Sequence, residues 1–267
     1  LAGAITNLSL VQPNASLTLA ANQVKGNLYI NNQGGTLTNN TLTVAAQTLN
    51  GSMDLRAENG ITATGDWNVH TTANLNNTSG LALDTYKISV GGATTLTAGA
   101  GIGDISLDNP LNNINNVTVI SGRDLTLKSA YNIGGVTIDL PQAAGRLRDV
   151  TIAYPGATSV AIGNGASSAA VVSGDLSVIS GGSISNWSGY LSLNGASSTS
   201  NFTAGGNITL NDSRNYLGAV TVNPAKDALS VDLYNNSGNA NLTILPTAGD
   251  LAGAITNLSL VQPNASL

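Results

Sequence analysis

His70, in the stretch GDWNVHT, is the only histidine in the chain, and cysteine is absent. A metal centre or a Ser–His–Asp relay needs partners of these kinds, so His70 reads as a surface residue of a strand. Glu58 is the only glutamate, and the aspartates are scattered. Cleaving a polysaccharide would require several carboxylates converging with Lys or Arg in one groove. The nearest clusters are Arg146, Arg148 and Asp149, and Arg123, Asp124 and Lys128. Neighbouring strand residues face opposite sides, so only Arg146 with Arg148, or Asp124 with Lys128 in part, can share a face. Both clusters read as solvated charge. Asp104 and Asp108 lie in GAGIGDISLD, which approaches the glycine-rich repeat that holds calcium between coils. Ala100 and Ile102 stand where two of its glycines are required, so the segment reads as a turn. No catalytic residue, cofactor or metal is expected, and the chain is not expected to be an enzyme.

Other residues could serve recognition. Trp67 and Trp187 fall in different segments, and Tyr29, Tyr86, Tyr190 and Tyr234 are dispersed, so they read as core filling or isolated surface rings. Asn-x-Ser/Thr sequons recur, among them Asn7, Asn14, Asn116, Asn186, Asn201, Asn207 and Asn241, as candidates for surface glycosylation.

The elements that must position these residues are short and alternating. LYIN from Leu28, LTVA from Leu42, MDLRA from Met53, LTLK from Leu125, VTID from Val136, LSVIS from Leu176, YLSL from Tyr190 and VTV from Val220 each place apolar residues at every second position. That is the pattern of a strand with one buried and one wet face. Gly, Asn, Asp and Ser fill the gaps, where tight turns need them. PQAAGRLRDV from Pro141 is the best helix candidate, but Gly145 breaks it, so almost no helix is expected. Residues 141–170 are the least regular stretch.

Two all-β folds fit such a pattern. A sandwich pairs strands far apart in sequence and closes on itself. A β-solenoid stacks each coil on the one before. The even spacing and the few aromatics (4% of residues) favour the solenoid. Coils of roughly 20 residues would give about 12 coils in 250 residues and a rise on the order of 60 Å.

One feature sets the domain organisation. LAGAITNLSLVQPNASL occupies Leu1–Leu17 and recurs letter for letter at Leu251–Leu267, an offset of 250 residues. An exact recurrence at a fixed period marks a repeat architecture. Residues 1–250 therefore read as one solenoid module and residues 251–267 as the start of an identical next one, a window on a longer array. The expected inter-module junction residues are Leu1, Ile5, Leu8, Leu10 and Leu17, with Leu251, Ile255, Leu258, Leu260 and Leu267.

Composition narrows the partners. Charged residues are only 9% of the chain, and Asn alone outnumbers them. Neutral polar side chains can stack on one another without repulsion. The formal charge of −5 argues against nucleic acid, and there is no basic run for an anionic membrane. No apolar stretch is long enough for a membrane helix.

The segment NITLNDSRNYLGAVTV, Asn207–Val222, resembles the filamentous haemagglutinin-like repeats of secreted bacterial adhesins through Asn211, Asn215, Tyr216, Gly218 and Val220. NPLNNINNVTVISGRDLTLKSA from Asn109 is a looser echo, and GGATTLTAGAGIGDISLD and NFTAGGNITLND share the cadence of that family. The resemblance implies a right-handed parallel β-helix, export across the outer membrane by a two-partner system, and an extracellular fibre at the bacterial cell surface. The expected function is a structural filament or adhesin stalk whose partners are identical modules. The alternatives are a module binding a glycan or a neighbouring cell, and a polysaccharide-degrading enzyme.

Overall fold

A computed structural model describes residues 5–131, 133–143, 147–226, 229–238, 241–245 and 255–264. Among these residues there is no helix, and no helix long and apolar enough to cross a membrane. The chain is all-β, and its strands pair in parallel as coils of a β-solenoid. It divides into two compact units, Leu1–Ser129 and Ala130–Leu267.

In the first unit the longest face stacks Leu8–Val11, Leu28–Asn32, Met53–Ala57, Ala73–Asn77, Ala93–Ala98 and Asn116–Ser121. The register runs Leu8, Leu28, Met53, Ala73, Thr94, Val117, so successive coils are 20, 25, 20, 21 and 23 residues long. The next inward position gives the column Leu10, Ile30, Leu55, Leu75, Leu96, Val119, buried everywhere except at Leu10. Shorter faces close the coil. Gln47–Leu49, Trp67–Val69 and Ile88–Val90 form one of them, and Leu17–Leu19, Thr41–Val44 and Gly60–Ala63 another.

In the second unit the corresponding register is Val136, Val160, Ile184, Ile208, Val231, Leu258, with coils of 24, 24, 24, 23 and 27 residues. This column is fully buried until Leu258. A second face aligns Ile152, Val178, Phe202, Val222 and Ile244. Coils thus run from 20 to 27 residues, most of them longer than 20, and about ten turns form where about twelve were expected. The extra residues lie in turns. Residues 147–170 keep the rhythm, with Val150 opposite Leu176 and Val160 opposite Ile184.

Aliphatic side chains stack because each strand presents them on one face about 4.8 Å above the last. Each fully buried Leu, Ile or Val contributes roughly 1.5–3 kcal/mol of transfer free energy. The interior also holds rings: Trp67, Tyr154 and Phe202 are buried. Trp67 Nε1 donates to the Val44 carbonyl at 3.3 Å, while Tyr154 OH has no partner among the described residues and burial raises its pKa.

At the coil corners, Asx side chains tie one coil to the next. Asn7 Oδ1 accepts from Asn27 N at 2.8 Å, and Asn27 Oδ1 from Ser52 N at 2.9 Å. Asp66 does the same for Lys87 N at 3.0 Å, Asp149 for Asp175 N at 3.0 Å, Asp175 for Thr199 N at 2.8 Å and Asn207 for Ser230 N at 2.9 Å. A short side chain one bond from the backbone can satisfy a turn N–H that the strand ladder leaves unpaired.

Candidate functional site

The recurring sequence ITNLSLV gives a parallel strand in both places, Leu8–Val11 in the first unit and Ile255–Val261 in the second. The two copies use opposite edges. Leu8–Val11 pairs with the following coil, Leu8 opposite Leu28 and Leu10 opposite Ile30. Ile255–Val261 pairs with the preceding coil, Leu258 opposite Val231 and Leu260 opposite Leu233. Leu8 and Leu258 are the same position of the repeat, as are Leu10 and Leu260. The repeated sequence is thus paired on its following side in one copy and on its preceding side in the other.

Its side chains are under-buried for core residues. Ile5 is 38% exposed, Leu10 38%, Val11 57%, Leu258 49% and Val261 44%. Ile5 bridges to Val24, and Leu17 lies opposite Leu42. Ile255 lies opposite Leu229, with a register shift just after it. Leu1, Leu251 and Leu267 fall outside the described residues.

A second constellation explains the motif around Asn215. Asn215 is fully buried; its Oδ1 accepts from Leu191 N at 2.9 Å and its Nδ2 donates to the Leu210 carbonyl at 2.9 Å. Asn112 does the same, accepting from Ile88 N at 2.8 Å and donating to Leu107 O at 3.0 Å. Three residues earlier an Asx side chain caps the turn: Asp212 accepts from Arg214 N, and Asn109 from Leu111 N. The shared pattern is Leu, Asx two residues on, Asn at five, Leu or Ile at seven, and Val-Thr-Val from ten. It covers Leu107–Val119 and Leu210–Val222, an offset of 103 residues. The working pair is Asp212 with Asn215. Asn211 instead donates to Asp232 at 2.7 Å on the surface. Gly218 holds φ +64, and a Cβ there would meet the Ser198 carbonyl, so this position needs glycine.

The charged clusters form local pairs. Arg123 is bidentate to Asp104 at 2.7 and 2.6 Å, which raises its pKa; Lys128 meets Asp108 at 3.0 Å. Arg148 pairs with Asp149 at 2.9 Å, and Arg146 lies outside the described residues. Arg56 and Arg214 each hold an aspartate two residues back and cover a tyrosine of the coil below: Arg56 over Tyr29 at 5.6 Å, Arg214 over Tyr190 at 4.7 Å. The hydrogen bond from Arg214 keeps the Asp212 carboxyl below its ordinary pKa. His70 is exposed, and among the described residues no three carboxylate or imidazole groups cluster as metal ligands do.

A family described as repeats of unknown function (DUF5649) matches residues 84–121 and 148–223. The matched stretches contain both asparagine turns. No curated protein and no solved structure matches the chain.

Sequence reasoning flagged Asn215 and Gly218 as parts of a motif without their task. It missed the corner Asx ladder altogether. The signal was present in Asn or Asp recurring one coil length apart, as in Asn7 and Asn27 or Asp149 and Asp175, but it is faint where Asn is so common.

Proposed function

We propose that this chain is a structural module of a long extracellular bacterial surface filament or adhesin stalk, built by stacking identical solenoid modules end to end. It is not an enzyme and needs no cofactor. The observation that carries this reading is the opposite-edge pairing of Leu8–Val11 and Ile255–Val261. A single strand of that sequence inside an array has the Val231–Leu233 coil on one side and the Leu28–Ile30 coil on the other. Leu8 and Leu10 then sit in unbroken aliphatic columns. Such a strand leaves no open edge, whereas an open edge is a site for unwanted pairing. Stability in stacked repeats is a sum of neighbour terms, so the array strengthens with length.

Electron microscopy of recombinant proteins of one, two and three periods tests this. The expected result is unbranched particles that lengthen by equal increments per period. Particles that form beads with independent orientations would overturn it, as would unfolding midpoints that do not rise with period number.

A further inference from the structure

We infer that Asn194–Gly195 is a site of spontaneous modification, at which the main chain converts Asn194 to aspartate and isoaspartate. Four Asn–Gly pairs occur in the chain: Asn50–Gly51, Asn59–Gly60, Asn164–Gly165 and Asn194–Gly195. In such a pair the glycine nitrogen is one ring closure away from the asparagine Cγ, and no Cβ hinders its approach. The Gly195 nitrogen attacks Cγ of Asn194. A C–N bond forms, the Cγ–Nδ2 bond breaks, and Nδ2 leaves as ammonia with the proton of the Gly195 N–H. Water then adds to either carbonyl of the resulting succinimide and opens it, returning a proton to the Gly195 nitrogen. Water is consumed and ammonia released, and no further reactant is required.

The fold decides which pair reacts, because a nitrogen or an amide already held in a hydrogen bond must first be released by local opening. At Asn50 the following nitrogen is held, Gly51 N donating to Gly26 O at 3.2 Å. At Asn59 the amide oxygen accepts from Ser79 Oγ at 3.1 Å, and Gly60 begins the strand Gly60–Ala63, in register with Thr41. Asn164 is buried, and both partners of the reaction are held: its Nδ2 donates to Leu140 O at 2.7 Å, its Oδ1 accepts from Ala166 N at 3.0 Å, and Gly165 N donates to Asp139 Oδ1 at 2.9 Å. Asn194 differs. It is exposed, and among the described residues neither its side-chain amide nor Gly195 N has a hydrogen-bond partner. Both residues line an open surface cleft, so water reaches them. The main chain is anchored on either side, by Asn194 N donating to Val172 O at 3.0 Å and Ser198 N to Gly195 O at 3.2 Å. Aspartate here adds a negative charge to the exposed turn. Isoaspartate also adds a methylene to the main chain, between the strand Tyr190–Leu193 and that turn.

The test uses the single-period chain, so it is independent of end-to-end stacking. The chain is aged warm at mildly alkaline pH, once folded and once in denaturant. Peptide mapping by mass spectrometry reads the amide-to-acid mass gain at each pair, and labelling with an isoaspartyl methyltransferase counts the isoaspartate. In the folded chain Asn194 should react first and Asn164 last. The lag of Asn164 should be on the order of tenfold or more, since each ~1.4 kcal/mol of local opening slows a site tenfold. In denaturant the lead of Asn194 should vanish, because the protecting hydrogen bonds are gone from all the pairs. Asn194→Gln, at an exposed position, should lose the leading product, because its longer side chain closes a less favourable ring. Asn194→Ser removes the amide altogether and should lose it as well. A folded chain in which Asn50, Asn59 or Asn164 reacts first, or in which Asn194 yields no acid, would overturn the inference. So would a lead of Asn194 that persists unchanged in denaturant.

Discussion

Asn14 and Asn264 are the same residue of the repeat, and each uses a different half of its amide. Asn14 Oδ1 accepts from Thr36 N at 2.9 Å, toward the following coil. Asn264 Nδ2 donates to Asn236, at 3.1 Å to the carbonyl and 2.6 Å to Oδ1, toward the preceding one. At an internal junction one amide could make both sets of bonds. In a two-period protein, Asn264→Asp removes the donor and keeps the acceptor. It should cost about 0.5–1.5 kcal/mol by urea unfolding.

The exposed junction leucines give a sharper contrast. Leu258→Lys in the single-period protein should change stability by no more than about 0.5 kcal/mol, as for other surface changes. In a two-period protein the same internal position should cost about 3 kcal/mol or more, because a charge would replace a stacked core leucine. Equal effects in the two proteins, measured by denaturant unfolding, would refute the stacked junction.

The asparagine turns should behave as a matched pair. Asn215→Ala leaves the buried Leu191 N without its acceptor and removes a donor from Leu210 O, and Asn112→Ala does the same to Ile88 N and Leu107 O. Each should cost about 1–3 kcal/mol, since each strands a buried N–H. Asn211→Ala, on the surface, should stay within about 0.5 kcal/mol.

Asp212 supplies a pH dependence whose sign is fixed. Its folded pKa is depressed, first by the hydrogen bonds from Arg214. The stabilisation is therefore present above the unfolded carboxyl value, about 3.9, and is lost as pH falls through the folded value. Asp212→Asn keeps a turn-capping oxygen, as Asn109 does in the other turn. Unfolding measured from neutral pH downward should show wild type ahead of Asp212→Asn at pH 6, with the gap closing in acid.

The alternation in LYIN, MDLRA and VTID made the strands and the stacked fold legible, because a half-buried strand imposes a period of two on its own residues. Coil length was less so. Turns such as 35–40 lengthen a coil without periodic residues, so counting strands at a uniform spacing overestimates the number of coils. The buried rings were hidden for a related reason. Trp67 lies buried between Gln47 and Ile88 on the neighbouring coils, and only the register reveals that. The exact repeat marked the junction plainly, but which edge each copy uses depends on pairing partners that a single strand does not specify.

The corner ladder has a direction. In each pair given for it, the side-chain oxygen belongs to the earlier coil and the N–H to the later one. At these corners a finished coil thus holds out an acceptor for residues that come after it. A chain delivered N-terminus first can add coils one by one as they arrive, each templating its successor. The order of emergence then becomes the order of growth, a polarity written into the carboxamides and carboxylates of the turns.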